Sequence, residues 1–529
     1  IAEIGARLRE VRALSGAGSI GWYMGNPGAF SYSHPIWVKG FLDALGSQHY
    51  YTASSQDVSN RFAASALLYG SPLVVPIPDL QRTSFLLVVG ANPLVSHGSV
   101  LTAPRVKDQL HAIVKRGGRV VVLDPRRSET ARAFEHVPVR PDSDAWLLLS
   151  LLHVLFEEGL ADEGFLGSST AGMTGLRGNV APFPPEVTAP LTGVDAEVVR
   201  TLARDLASAD GAAVYGRTGS CLGRFGTLVS FLLDAVMAVT GNLDVPGGGV
   251  FGRPAAALDE VAEKTGLATY GARHSRVGGF PDVIGALPAS LIPEEITTPG
   301  EGALRALVVS AGNPVLSVPD GDAMRAALGE LDLFVSIDLY VNETNAGADY
   351  VLPATTFLER EDLPLAFLGF YTTPFVQWTE PVVAPRGEAR DEWETIEALS
   401  AELGIVPSSD PRLRRLARLG LRLTPRRMAD VLLRTGPEGD RFGLRRGGLS
   451  LAKLRTEPHG VVTAQHIATG VLGRKVRHPH GMVQLDPPVL RKEMQRLQAS
   501  VGETDERFPL RLIGLRELRS HNSWMHNAP

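Results

Sequence analysis

The 529-residue chain contains a single cysteine, Cys221. One thiol excludes an internal disulfide framework, a Cys-x-x-Cys zinc site and an all-cysteine iron–sulfur cluster built from these residues alone. No run reaches the roughly eighteen apolar residues of a membrane span. The nearest candidates, Trp146–Phe156 and Leu228–Val239, are short and carry His153 and Asp234, so both read as buried helices. Net charge is −5, which leaves no global basic field and no call for nucleic acid. With 44% hydrophobic and 21% charged residues, the chain is neither disordered, collagenous nor a coiled coil. At roughly 150 residues per domain, its length implies several domains.

Short apolar runs alternate with helical periodicity, the pattern of parallel α/β units. Strands are expected at Ser19–Tyr23, Ser84–Val89, Arg119–Leu123, Ala212–Tyr215, Ala306–Val309 and Leu333–Ile337. Helices are expected at Val106–Arg116, Asp144–Glu158, Ala196–Ala209, Thr227–Thr240 and Gly321–Leu328. Residues 251–303 are rich in Gly, Pro and Ala and read as long loops. Residues 406–500 are Arg-rich and broken by Pro and Gly, so they read as short helices and connecting chain.

An internal repeat is the most informative feature. Phe85 to Val89 leads into Gly90, Ala91, Asn92 and Pro93, then a helix, then Val120 to Asp124, then Glu129-Thr130. Ala306 to Ser310 leads into Ala311, Gly312, Asn313 and Pro314, then a helix, then Phe334 to Asp338, then Glu343-Thr344. In both copies the Glu-Thr pair begins five residues after the aspartate. A third strand ends in the same turn, at Gly25-Asn26-Pro27. The turn reads as Asn at an N-cap with Pro in the first helical turn, whose N–H groups favour a phosphate. The aspartate falls at the carboxyl edge of a sheet, where doubly wound folds bind their ligands. Two such copies point to two nucleotide-like groups or a pseudo-symmetric cofactor pair; the alternative is that Asn-Pro merely starts a helix and the aspartates cap loops. The repeat lacks a Gly-x-Gly-x-x-Gly loop, which argues against NAD or FAD in the usual mode.

On these residues the sequence resembles the molybdopterin oxidoreductases that carry two molybdopterin guanine dinucleotides, a group that includes formate dehydrogenases, nitrate reductases and dimethyl sulfoxide reductases. The resemblance is carried by Val89 to Pro93, Val122 to Ala131, Arg140 to Asp144, Thr240 to Gly248, Ile337-Asp338 through Asn342-Glu343-Thr344, Ala348 to Ala354, and Arg519 to Ser523. It implies a multi-domain α/β chain: two related doubly wound (Rossmann-like) parallel-sheet domains, plus the start of a C-terminal β-rich domain. The implied layout joins 1–60 to 276–400 as one nucleotide-binding domain and makes 61–275 the other. Residues 401–505 then connect to the terminal cofactor-binding domain, which opens at 506–529.

The resemblance also implies roles. Gly90, Asn92 and Pro93 lie by one dinucleotide's phosphates, and Asp124 and Arg126 read its guanosine with support from Asp144. Gly312, Asn313 and Thr344 serve the second dinucleotide, with Asp338 and Asn342 at its guanosine. Gly216 and Gly219 belong to a loop beside a pterin, and His521, Asn522 and Ser523 open the terminal domain. Implied cofactors are the two dinucleotides with molybdenum or tungsten, and a 4Fe–4S cluster in a segment preceding Ile1. The chain accordingly reads as a piece of a longer protein. A small anionic substrate, an electron-transfer partner and a cytoplasmic location complete the expectation, with a periplasmic or membrane-associated location left open.

Departures from the family pattern bear on mechanism. The position of the usual metal ligand falls on Ala63, which cannot coordinate; Ser59 or Ser65 is the alternative if the match is shifted, and otherwise the metal has only pterin sulfurs and oxo groups. The metal ligand stays unassigned. Arg273, Arg276 and His97 are the candidate catalytic residues, the arginines as bidentate holders of an anion. Against that, loop arginines are abundant here, and His97 equally suits a loop carbonyl. Cys221 reads as a packing residue rather than a soft ligand. Seven arginines between Arg412 and Arg427 form either one solvated helix face or a patch for a membrane surface or an acidic partner.

Formate-dehydrogenase-like chemistry is the reading favoured. A nitrate-reductase-like oxyanion reductase and a non-catalytic electron-relay subunit of the complex I large-subunit type are the alternatives. A thiamine-diphosphate enzyme is set aside, because no Gly-Asp-Gly is followed by Asn-Asn a helix later.

Overall fold

The computed structural model describes residues 1–256, 258–503 and 506–518. Two parallel sheets organise the chain, each covered by helices. Sheet I has five strands in the order Tyr350–Pro353, Leu333–Asp338, Ala306–Ser310, Ile20–Met24 and Tyr50–Thr52. Sheet II has four, in the order Glu135–Val137, Arg119–Leu123, Phe85–Val89 and Ala212–Gly216. Every pairing within the two sheets is parallel.

The repeat is therefore structural as well as sequential. In both sheets the strand before the Asn-Pro turn pairs with the strand that ends next to or in the aspartate, which pairs in turn with a short edge strand. The sheets differ in where the strand on the other flank comes from. Sheet II takes Ala212–Gly216 from later in the chain, whereas sheet I takes Ile20–Met24 from before the first repeat.

These strands are continuous apolar runs because both faces are covered, as parallel sheets require. Phe85–Val89 and Ala306–Ser310 are buried at every position. Helices Ser59–Tyr69, Asp144–Glu157 and Gly226–Val239 form the packed layer on sheet II, and the last is buried at nearly every residue. That explains why Trp146–Phe156 and Leu228–Val239 are so apolar without spanning a membrane. No helix among the described residues is long and apolar enough to cross one.

The two halves meet at a seam. Val58, Phe62 and Val75 cluster with Val100, Val283, Ile284 and Phe370, and Thr102 N–H donates to the Phe370 carbonyl at 2.6 Å. Val100 and Ile284 both sit at positive φ, 50° and 52°, which is strained for β-branched residues.

The expectation of long loops over 251–303 is corrected. Helices Leu258–Thr265 and Ile292–Thr297 and the antiparallel pair Tyr270–His274 with Pro281–Val283 lie within it. These elements are short, and glycine and proline between them mask the periodicity. His521, Asn522 and Ser523 lie outside the described residues, and residues 506–518 contain no strand.

Candidate nucleotide-binding edges and the buried arginine site

The matched spacing of Asn and Glu-Thr corresponds to one hydrogen-bond arrangement made twice. Asn92 Nδ2 donates to Glu129 Oε2 at 2.7 Å, while Asn92 Oδ1 accepts from the Thr130 hydroxyl at 2.8 Å. Thr130 Oγ1 in turn accepts from Leu94 N–H at 3.2 Å. In the second copy Asn313 Nδ2 donates to Glu343 Oε2 at 2.8 Å, Thr344 Oγ1 donates to Asn313 Oδ1 at 2.6 Å, and Val315 N–H donates to Thr344 Oγ1 at 3.0 Å. Backbone angles agree as well: φ is −127° at Asn92 and −123° at Asn313.

This arrangement alters the expected role of the turns. Both helices are a single turn, Pro93–Ser96 and Pro314–Ser317, and neither asparagine caps its helix through the side chain. The N–H groups of residues 94–97 and 315–318 all have internal acceptors. The turns are thus closed by their own Glu-Thr partners, and the aspartates become the edge groups with capacity for a ligand.

Glycine is required where these turns touch the neighbouring strand's loop. A Cβ on Gly90, at φ +55°, would meet Ser220 N at 2.6 Å, and one on Gly219 would meet the Gly90 carbonyl at 2.7 Å. The equivalent approach in sheet I is between Gly25 and Ala311-Gly312, where a Cβ on Gly25 would meet the Ala311 carbonyl at 1.8 Å. A Cβ on Gly216 would strike Leu233.

Asp124 and Asp338 are both half-buried, and burial raises the pKa of each. Asp124 Oδ1 accepts from Arg126 N–H at 2.8 Å. Asp338 Oδ1 accepts from Leu339 N–H at 2.7 Å, and its Oδ2 accepts from Asn342 Nδ2 at 3.2 Å. Asn342 Oδ1 also holds the N–H groups of Thr344 and Asn345, which fixes the loop after the aspartate. Arg126 lies 3.7 Å from Glu129, so the first edge carries a guanidinium beside its carboxylate.

Asp144 starts the helix over Asp144–Glu157, and burial, with Asp142 and Asp124 nearby, pushes its pKa up to about 7. The native carboxyl therefore holds a proton that the unfolded chain releases near pH 4, and stability falls as pH rises from about 4 through 7. Asp144→Asn is expected to leave nucleotide-free stability nearly unchanged at pH 4. At pH 8 it is expected to raise stability by about 1–2 kcal/mol, read as a thermal midpoint that no longer falls over that range.

The second constellation joins two segments singled out in the sequence. Arg217, buried in the loop after Ala212–Gly216, donates from Nε to Ser99 Oγ at 2.8 Å and pairs through Nη2 with Asp57 Oδ2 at 3.1 Å. Asn60 Nδ2 donates to the Cys221 carbonyl at 2.6 Å, and the Thr227 hydroxyl donates to Asn60 Oδ1 at 2.8 Å. Residues 57–61 are thereby stapled to the loop 216–223. Arg61 and Asp234, both buried, pair at 2.7 Å, and Tyr69 OH donates to the same Asp234 oxygen at 2.9 Å. Arg61, Ser99, Tyr215, Arg217 and Asp234 line a cavity of about 20 Å³. The ion pairs and hydrogen bonds among these groups make a polar joint between elements.

The remaining candidates are placed as follows. Arg273 lies 3.2 Å from Asp43, which also pairs with buried Lys39. Arg276 lies 3.1 Å from buried Glu295 and donates to the carbonyls of Glu295 and Thr298. Neither arginine lines the cavity at Arg217. His97 is exposed, at φ 55°, where the one-turn helix ends. Cys221 is buried, with Ser230 Oγ 3.7 Å from its sulfur. Ala63 is buried in helix Ser59–Tyr69, and Ser65 near it has a buried hydroxyl without a partner among the described residues. Among the described residues no group of three or more His, Cys, Asp or Glu is placed to hold a metal. The pairs Arg61–Asp234 and Arg217–Asp57 were not anticipated from sequence; a lone acid in an otherwise apolar helix was the only local signal.

Two parallel sheets thus carry the same closed turn, each with a half-buried aspartate at the adjacent strand end. The sequence model of the molybdopterin oxidoreductase family matches residues 2–402, and the chain belongs to that family. It is 28% identical to formate dehydrogenase H of Escherichia coli over 347 residues, which is 62% of this chain and 46% of that protein. It is 26% identical to the molybdopterin-containing subunit of thiosulfate reductase of Salmonella typhimurium over 439 residues, 79% of this chain and 56% of the relative. These matches span about half the length of the curated relatives. Among solved structures, acetylene hydratase from Pelobacter acetylenicus superposes with a TM-score of 0.76 at 23% identity, covering 100% of this chain and 73% of the other.

Proposed function

We propose that the chain binds two molybdopterin guanine dinucleotides, with molybdenum or tungsten, and takes part in two-electron oxidoreduction of a small anionic or oxo substrate, formate-dehydrogenase-like in type. The observation that carries the reading is the duplication: the same Asn–Glu–Thr lock and strand-end aspartate occur in both sheets. A single-nucleotide protein has no use for both. The donor set fits the group, since a half-buried carboxylate already braced by a backbone N–H accepts the imino and amino hydrogens of a guanine.

Asp124, Arg126 and Asp144 would hold one guanosine, and Asp338 and Asn342 the other. The locks keep Gly90 and Gly312 in their close approaches, and the Arg217–Asp57 pair fixes the loop 216–223 for a pterin. When bound, the metal held by pterin sulfurs supplies the two-electron step. The chain's own contribution is binding, orientation and a polar, partly water-excluded surround. A 4Fe–4S cluster and an electron-transfer partner would complete the electron route through residues other than these.

A second reading, reduction of an oxo or sulfur–oxo substrate, has a specific observation in its favour. The thiosulfate reductase match extends over 79% of this chain, against 62% for formate dehydrogenase H. Metal analysis of the purified protein, with nucleotide release on acid denaturation, tests the shared part. Molybdenum or tungsten with two guanine nucleotides per chain is expected; NAD or FAD without either metal overturns it. Reduction of the bound metal by formate, against its reoxidation by an oxo substrate, separates the two readings.

A further inference from the structure

The segment 411–427 contains seven arginines and no acidic residue, in a chain whose net charge is −5. The rest of the molecule therefore carries −12, and the basic charge of this segment stands apart from it. Helix Pro411–Arg418 has no buried residue at all. The arginines of the segment 411–427 divide into two sets. Arg414, Arg422 and Arg426 turn to the body of the protein, where they meet the Asp43 carbonyl, Glu397 and Glu361. Arg412, Arg415, Arg418 and Arg427 are exposed and make no side-chain ion pair among the described residues.

Leucines interleave with them. Leu416, Leu419, Leu421 and Leu423 are 42%, 79%, 67% and 36% exposed. Exposed leucines scattered singly need no explanation. Four exposed leucines within eight residues, interleaved in the chain with exposed arginines, make an apolar and cationic stretch. An acidic protein surface would satisfy the arginines and leave the leucines without apolar partners. A bilayer interface satisfies both, because leucines enter the acyl boundary while arginine stems reach back to anionic headgroups.

We propose that residues 411–427 dock the protein peripherally on an anionic lipid surface, with Leu416, Leu419, Leu421 and Leu423 inserted at the headgroup boundary. The attachment needs no spanning helix.

The test is cosedimentation of the purified protein with phosphatidylcholine vesicles containing 30 mol% phosphatidylglycerol, against phosphatidylcholine alone, at 0.1 M salt. Binding to the anionic vesicles only is expected. Replacing Arg412, Arg415, Arg418 and Arg427 together by Gln is expected to weaken it on the order of 1,000-fold. Leu419→Ser with Leu421→Ser is expected to weaken it about tenfold. All six positions are exposed, so an unchanged thermal midpoint shows that the fold is intact. No binding to anionic vesicles, or binding that the arginine set does not alter, overturns the proposal. Binding that ignores the leucine pair overturns the inserted mode. Capture by poly-glutamate with no vesicle binding assigns the segment to an acidic protein partner instead.

Discussion

Asp234→Ala is expected to destabilise the sheet II half by about 3–5 kcal/mol, because it leaves the Arg61 guanidinium buried without its counter-charge. Burial is the largest influence on Asp234 and raises its pKa, and Arg61 and Tyr69 oppose that rise. Tyr69 loses its acceptor in the same variant. For a unit of 150–250 residues, the loss corresponds to a fall of about 6–20 °C in thermal midpoint. Two comparisons isolate the cause. Arg61→Met with Asp234→Leu removes both charges and is expected to recover most of the loss, since a buried pair is close to neutral against an apolar replacement. Glu158→Ala, which breaks the partly exposed contacts to Arg200 and Arg204, is expected to cost under about 1 kcal/mol. If the double replacement is as unstable as the single, the site depends on the charges for more than mutual compensation.

Asp124→Ala and Asp338→Ala are each expected to weaken retention of one guanine nucleotide by about 10- to 150-fold, the value of a hydrogen-bonded charged acceptor. The nucleotide released per chain on acid denaturation should fall from two toward one in either variant, and toward none in the double. Effects on the fold should be modest, since each aspartate braces only its own loop: Arg126 N–H in one case, Leu339 N–H and Asn342 in the other. Unchanged nucleotide content in both variants would reduce the aspartates to loop caps and remove the ground for a matched cofactor pair.

Much of the scaffold was legible in the sequence, and the reasons are local. Arg119–Leu123 matches its expected bounds because five strand residues are enclosed by Gly117-Gly118 and Asp124-Pro125. Gly321–Leu328 matches because Asp320 caps it through the side chain. Three edge strands, Tyr50–Thr52, Glu135–Val137 and Tyr350–Pro353, carry too few residues for any periodicity to register. At the site, the spacing of Asn, Asp and Glu-Thr marked the duplicated turns, but chemistry alone could not say which partner each would choose. Asn92 and Asn313 turned inward to Glu and Thr, a contact that closes the very N–H groups taken for a phosphate. Arg61 and Asp234 stand 173 positions apart and Arg217 and Asp57 stand 160 apart, so neither pair leaves a trace in local sequence. Arg273 and Arg276 looked like free loop cations for the same reason: Asp43 and Glu295 approach from other elements.

Sheet I draws two strands from the first 52 residues and three from beyond residue 305, with all of sheet II between them. During synthesis the early strands Ile20–Met24 and Tyr50–Thr52 must wait for a central partner, Ala306–Ser310, that leaves the ribosome roughly 13–50 s later at ordinary elongation rates. Sheet II completes itself in that interval. The intervening half acts as a preassembled insert, and the nascent Ile20–Met24 edge is the stretch of this chain that chaperones have most reason to shield.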